Sequence, residues 1–87
     1  MNTVKLLHDI TQSGYEVQFS DDFEYGVSIT FTTMGGEYIR HEHINAFNKS
    51  FETLESRVNE SLNGFLIELA EDGEPRKDGL ADAVNKP

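Results

Sequence analysis

No cysteine occurs in the 87 residues. Disulfides and thiolate metal sites are therefore excluded, and the absence fits a reducing compartment. Proline is confined to Pro75 and Pro87, which bracket the last segment. No stretch approaches the roughly 20 apolar residues needed to span a bilayer. Met1-Asn2-Thr3-Val4-Lys5 also lacks the long apolar run of a signal peptide. The expectation is a soluble, cytoplasmic protein. Cations are scarce too: 7 Lys and Arg stand against 16 Asp and Glu, for a formal net charge of −9. Such a surface repels phosphate backbones and anionic lipid, and it attracts basic surfaces.

What the chain does have is one long amphipathic pattern, from Asn45 to Gly73. Phe47, Phe51, Leu54, Val58, Leu62, Phe65 and Leu69 recur in steps of three and four, which places them on one stripe of a helix. Glu52, Glu55, Glu60 and Glu68, with Arg57 among them, occupy the other side. Asn45, Asn48 or Ser50 suits the cap, and Gly73 suits the left-handed position past the end. Gly64 lies inside the pattern and predicts a bend or break there.

Before that helix the periodicity changes twice. Val4, Leu7 and Ile10, with Leu6 beside them, predict a first helix over residues 2–13, capped by Asn2 or Thr3 and stopped at Gly14. Tyr15, Val17 and Phe19 then alternate with Glu16, Gln18 and Ser20, the pattern of a half-buried strand. Asp21-Asp22-Phe23-Glu24 reads as an acidic turn. Val27, Ile29 and Phe31 alternate with Ser28, Thr30 and Thr32 in a second strand running from Tyr25 to Thr33. Gly35-Gly36 signals a tight hairpin, and Tyr38 to Ile44 forms a third strand. Its weak alternation, with Tyr38 and Ile44 on one face and Ile39 on the other, suits an edge.

The predicted fold is α+β: a helix, a three-stranded antiparallel meander and a long C-terminal helix, with both helices on one face of the sheet. Residues 1–74 form the single domain, and residues 75–87 a flexible tail.

Few constellations point to chemistry. His41-Glu42-His43 has metal-like spacing, because residues two apart on a strand share a face. No second cluster supports it, so neither a metal nor another cofactor is expected. The carboxylates are too widespread to mark general acid–base catalysis, and no nucleophile elbow or phosphate cradle is present. The expectation is a non-catalytic protein. Two acidic groups stand out, Asp21, Asp22 and Glu24 in one and Glu68, Glu71, Asp72 and Glu74 in the other, with Glu37 at the hairpin tip. Carboxylates grouped on loops and a helix end can imitate a nucleic-acid backbone and occupy a basic groove.

Helix, three strands and a helix is also the order of the double-stranded RNA-binding domain. That domain places lysines at the start of its last helix, where this chain reads Lys49-Ser50-Phe51-Glu52. RNA binding therefore does not follow.

The chain more closely resembles the small acidic phage anti-CRISPR proteins that block the type II RNA-guided DNA nuclease. Leu6-Leu7-His8-Asp9-Ile10 followed by Tyr15-Glu16-Val17-Gln18-Phe19-Ser20 is similar to that family's first helix and strand. Gly36-Glu37-Tyr38-Ile39 resembles its hairpin tip and third strand, and Asn63-Gly64-Phe65 resembles a break between its last two helices. Glu71-Asp72 falls where the family has an acidic pair that engages the nuclease's arginines. The resemblance implies that Glu71 and Asp72, helped by Glu68 and Glu74, take the place of the duplex that the nuclease reads. Gly35, Gly36 and Glu37 would reach toward a second site on the enzyme. Two departures are visible: Gly14 replaces an acidic contact residue, and Gly73-Glu74-Pro75-Arg76-Lys77 interrupts a continuing acidic helix.

A second resemblance leads elsewhere. Leu69-Ala70-Glu71-Asp72-Gly73-Glu74-Pro75 is similar to a segment of HicB-type antitoxins, which neutralise an RNA-cleaving toxin. That family starts with a strand and carries a Pro-rich motif, neither of which is present here. A small regulatory interaction domain is the third reading.

Overall fold

The computed structural model describes residues 2–22, 26–45 and 49–75. Its elements run α1 (Thr3–Gln12), β1 (Tyr15–Asp22), β2 (Gly26–Thr33), β3 (Tyr38–Asn45) and α2 (Phe51–Asp72). The three strands form an antiparallel sheet in the order β1-β2-β3. The fold is α+β, in the element order that the periodicities predict.

Each helix begins and ends on local chemistry. The Asn2 side chain accepts the Lys5 amide at 3.2 Å and caps α1. Ser50 does the same for α2 by accepting the Thr53 amide at 3.2 Å. Gly73 closes α2 at φ 76°, and its amide donates to the Leu69 carbonyl at 2.9 Å. Across Gly64 the helix is continuous, so the expected break is not there. One interior glycine costs roughly 1 kcal/mol against alanine, which Leu62 and Phe65, fully buried on either side of it, outweigh.

The core is a single cluster of Leu6, Ile10, Ile29, Phe31, Ile39, Leu62 and Phe65. Every strand residue in it comes from one side of the sheet, and both helices contribute to it. Phe31 and Phe65 stack with ring centroids 4.3 Å apart, and Tyr15 meets Phe65 edge-on at 5.3 Å. The other sheet face carries Glu16, Gln18, Ser20, Ser28, Thr30 and Thr32, joined by Tyr38, His41 and His43 from β3.

Several expectations require correction. The long helix starts at Phe51, because Asn45 is the last residue of β3; Phe47 lies outside the described residues. Phe51 is exposed at the first helical position, ahead of the sheet that covers the later turns. Val4 is likewise exposed: α1 turns Leu6 and Ile10 inward, and Thr3, on the same side, hydrogen-bonds the buried Asn59. Asp21 and Asp22 belong to β1, paired with Val27 and Gly26, and do not form a turn. The third strand is not simply irregular. Phe31 pairs with Arg40 and Thr32 with Tyr38, so Ile39 is an extra residue in a β-bulge. The bulge lets Ile39 and Arg40 both turn toward the core.

Candidate functional site

α2 runs antiparallel to β3. Arg57, Glu60 and Ser61 lie beside Glu42–Asn45, whereas Glu68 reaches Arg40. The last turn of α2 therefore lies at the same end of the molecule as the β2–β3 hairpin. That end collects Gly35, Gly36, Glu37, Glu68, Glu71, Asp72 and Glu74. Asp21 and Asp22 lie at the opposite end of the sheet, beside Gly26 and, across β2, Asn45. Glu24 is outside the described residues, as is everything in the expected tail beyond Pro75. The structure thus separates Asp21 and Asp22 from the acids at the end of α2.

The hairpin is held by backbone chemistry. Thr33 donates its amide to the Glu37 carbonyl at 2.9 Å, and Gly36 donates to the Thr33 carbonyl at 2.9 Å. Glu37 donates its amide to the Thr33 hydroxyl at 3.0 Å. Gly36 takes φ 92°, so a glycine is needed at this point of the three-residue loop. Glu37, Tyr38 and Met34 are all exposed around it.

The acids at this end are not equivalent. Glu68 is partly buried, with its oxygens 2.7 and 3.0 Å from Arg40 Nη1. Its charge is used inside the fold. Glu71, Asp72 and Glu74 are exposed, and none of them forms an ion pair among the described residues. They also crowd the C-terminal end of a long helix, where backbone carbonyls already concentrate negative potential. No basic residue occupies that last turn.

Arg40 is the residue that sequence reasoning missed. Its guanidinium carbon lies 5.3 Å from the ring centres of both Phe31 and Phe65, and its Nε lies 3.2 Å from Glu42. In the sequence it is one charged residue in a strand of unclear phase, and only the bulge turns it inward.

His41 and His43 stand together on the open face, each beside a hydroxyl of β2. Thr30 Oγ1 is 3.1 Å from His41 Nδ1 and Ser28 Oγ is 3.4 Å from His43 Nδ1. Among the described residues no group of three or more His, Cys, Asp or Glu is arranged to hold a metal ion. The Lys5 ammonium, 2.8 Å from Asp9, holds the Asp9 carboxyl below its ordinary range, although the pair is exposed.

No protein-family model, curated protein or solved structure matches this chain. No helix among the described residues is long and apolar enough to cross a membrane.

Proposed function

We propose that this protein is a non-catalytic inhibitor that places the carboxylates at the end of α2 in the basic groove of a nucleic-acid-binding enzyme. The type II RNA-guided DNA nuclease is the target that the resemblance implies. The observation that supports the reading is electrostatic. Glu71, Asp72 and Glu74 are exposed, lack ion-pair partners among the described residues and sit on the negative pole of a 22-residue helix. A helix end selected for stability alone would carry Lys or Arg there, at a gain of about 0.3–1 kcal/mol each. Retaining carboxylates at an unfavourable place is accounted for by a cationic partner. Glu37 on the adjacent hairpin extends the same acidic end, while Glu68 holds the helix to the sheet.

A gel shift tests this. Guide-loaded type II nuclease with its target duplex is titrated with the protein. The expected result is loss of the shifted band near stoichiometric amounts, with the band restored by Glu71→Lys with Asp72→Lys. An undisturbed band at large excess removes that target. Competition that survives the double charge reversal removes the proposed site.

A further inference from the structure

The sheet has two edges, β1 and β3, and they are protected unequally. Native sheets blunt an edge with a bulge, a proline or a lysine. β3 carries the bulge at Ile39. β1 has none of the three: its residues pair with β2 in unbroken register and include neither proline nor lysine. A groove of about 300 Å³, lined by Thr11, Glu16, Val17, Gln18 and Met34, borders it. Val17 belongs to the core-facing side of the sheet, and Glu16 and Gln18 belong to the open side. The groove therefore runs over the edge itself.

One hydrogen bond shows which backbone groups that edge offers. Met34 donates its amide to the Gly14 carbonyl at 3.3 Å, and these two residues continue the register of Tyr15 with Thr33. In an antiparallel ladder, bonded pairs alternate with non-bonded ones. Glu16, Gln18 and Ser20 thus aim their N–H and C=O groups at β2, whereas Tyr15, Val17 and Phe19 aim theirs outward. Among the described residues no strand pairs with this side of β1. Phe19 is also 45% exposed and stands outside the core cluster.

We propose that β1 pairs antiparallel with β1 of a second copy, Val17 opposite Val17, and joins the two sheets in a two-fold dimer. An isologous contact sets one patch against itself, so outward groups must meet outward groups. In the register centred on Val17 they do: Tyr15 pairs with Phe19, Val17 with Val17 and Phe19 with Tyr15. The same register suits the side chains. Phe19 lies against Tyr15 of the second copy and the two valines meet, both favourable cross-strand pairs. Glu16, the one charge between Tyr15 and Ser20, lies against Gln18. A register centred on Gln18 would set amide against amide and draw Asp21 and Asp22 into the paired stretch. Net charge −9 opposes association in general. Antiparallel pairing, however, sends the acidic ends of the two α2 helices to opposite ends of the joined sheet, and at physiological salt the screening length is only about 8 Å. Both α2 ends stay open, so the pairing stands apart from the inhibitor reading.

The test is sedimentation equilibrium of the full chain over a concentration series, with amide exchange followed by NMR. The mass should rise from 9.8 kDa toward twice that value, and the amides of Tyr15, Val17 and Phe19 should gain protection as it does. Gln18 reports the register, because it is exposed on the open side and outside the core. Gln18→Lys sets a cation against Glu16 at two symmetric places and should tighten the dimer. Gln18→Glu sets like charges together and should weaken it. Each change should be between about twofold and thirtyfold, two cross-strand pairs being altered. Glu55→Gln, exposed on α2, shifts the net charge by the same amount as Gln18→Lys and should leave the dimer within about twofold of the original. A chain still monomeric at about 1 mM overturns the proposal, as does protection gained at other amides. A dimer that both Gln18 variants weaken places Gln18 opposite itself, and one that neither variant moves uses another face. A dimer that Glu55→Gln tightens as much as Gln18→Lys is governed by net charge. Each of these three results also overturns it.

Discussion

Arg40 and Glu68 form an ion pair between β3 and α2 at 2.7 Å, with side-chain exposures of only 12% and 21%. Removing one partner leaves a largely desolvated charge, so Glu68→Ala should cost about 2 kcal/mol. Replacing both, as Arg40→Met with Glu68→Leu, should recover most of that loss, because the guanidinium already lies against Phe31 and Phe65. Urea unfolding of the two variants checks this. A double variant no more stable than Glu68→Ala would show that the pair itself is needed.

Gly64, inside α2, and Gly73, which closes it, should respond in opposite directions to alanine. Gly64 has open space around an added Cβ and helical neighbours, so Gly64→Ala should stabilise the protein by about 0.5–1 kcal/mol. Gly73 also has open space but takes φ 76°, so Gly73→Ala should cost about 1 kcal/mol through backbone strain alone. Thermal melts of both variants measure the pair of signs.

Ser61 Oγ is buried with no hydrogen-bond partner among the described residues. Ser61→Ala removes an unsatisfied hydroxyl and improves helix propensity, and should raise stability by up to about 1 kcal/mol. A lower melting temperature would mean that the hydroxyl is satisfied in solution.

The Asp9 carboxyl, held below its ordinary pKa by Lys5, contributes stability that is present above the unfolded carboxylate pKa and lost as pH falls through the folded value. Because the pair is exposed, the effect on stability is small, and the position of the titration is the better readout. Carboxyl NMR should place the Asp9 midpoint below the ordinary aspartate value of 3.8. Lys5→Gln should move it up.

The elements were legible wherever one physical signal dominated. The alternation of Val27, Ile29 and Phe31 describes β2 correctly, since all three contact the core, and the spacing of Leu62, Phe65 and Leu69 marks the inward face of α2. Errors arose where periodicity alone cannot say which side is covered. Val4 fits the first helix's apolar stripe as well as Leu6 does, yet the neighbouring elements cover Leu6. Asp21 and Asp22 have poor strand propensity, but the pairing of β1 with β2 carries them into the ladder. At the candidate site, the grouping of Glu68, Glu71, Asp72 and Glu74 was visible as a run of charge. That Glu68 is committed to Arg40 while the other three are not depends on a partner 28 residues away.

The extra residue at Ile39 has a consequence beyond the bend it puts in β3. It changes the parity of the strand. Had β3 continued in regular register from Tyr38 opposite Thr32, the odd-numbered positions would face inward along its whole length, sending His41 and His43 into the core and Arg40 and Glu42 to the opposite side. With the extra residue, the even-numbered positions turn inward from Arg40 onward. Two polar imidazoles are thereby kept out of the apolar interior, beside the hydroxyls of Thr30 and Ser28. One inserted residue decides which half of the strand's side chains this core has to accommodate.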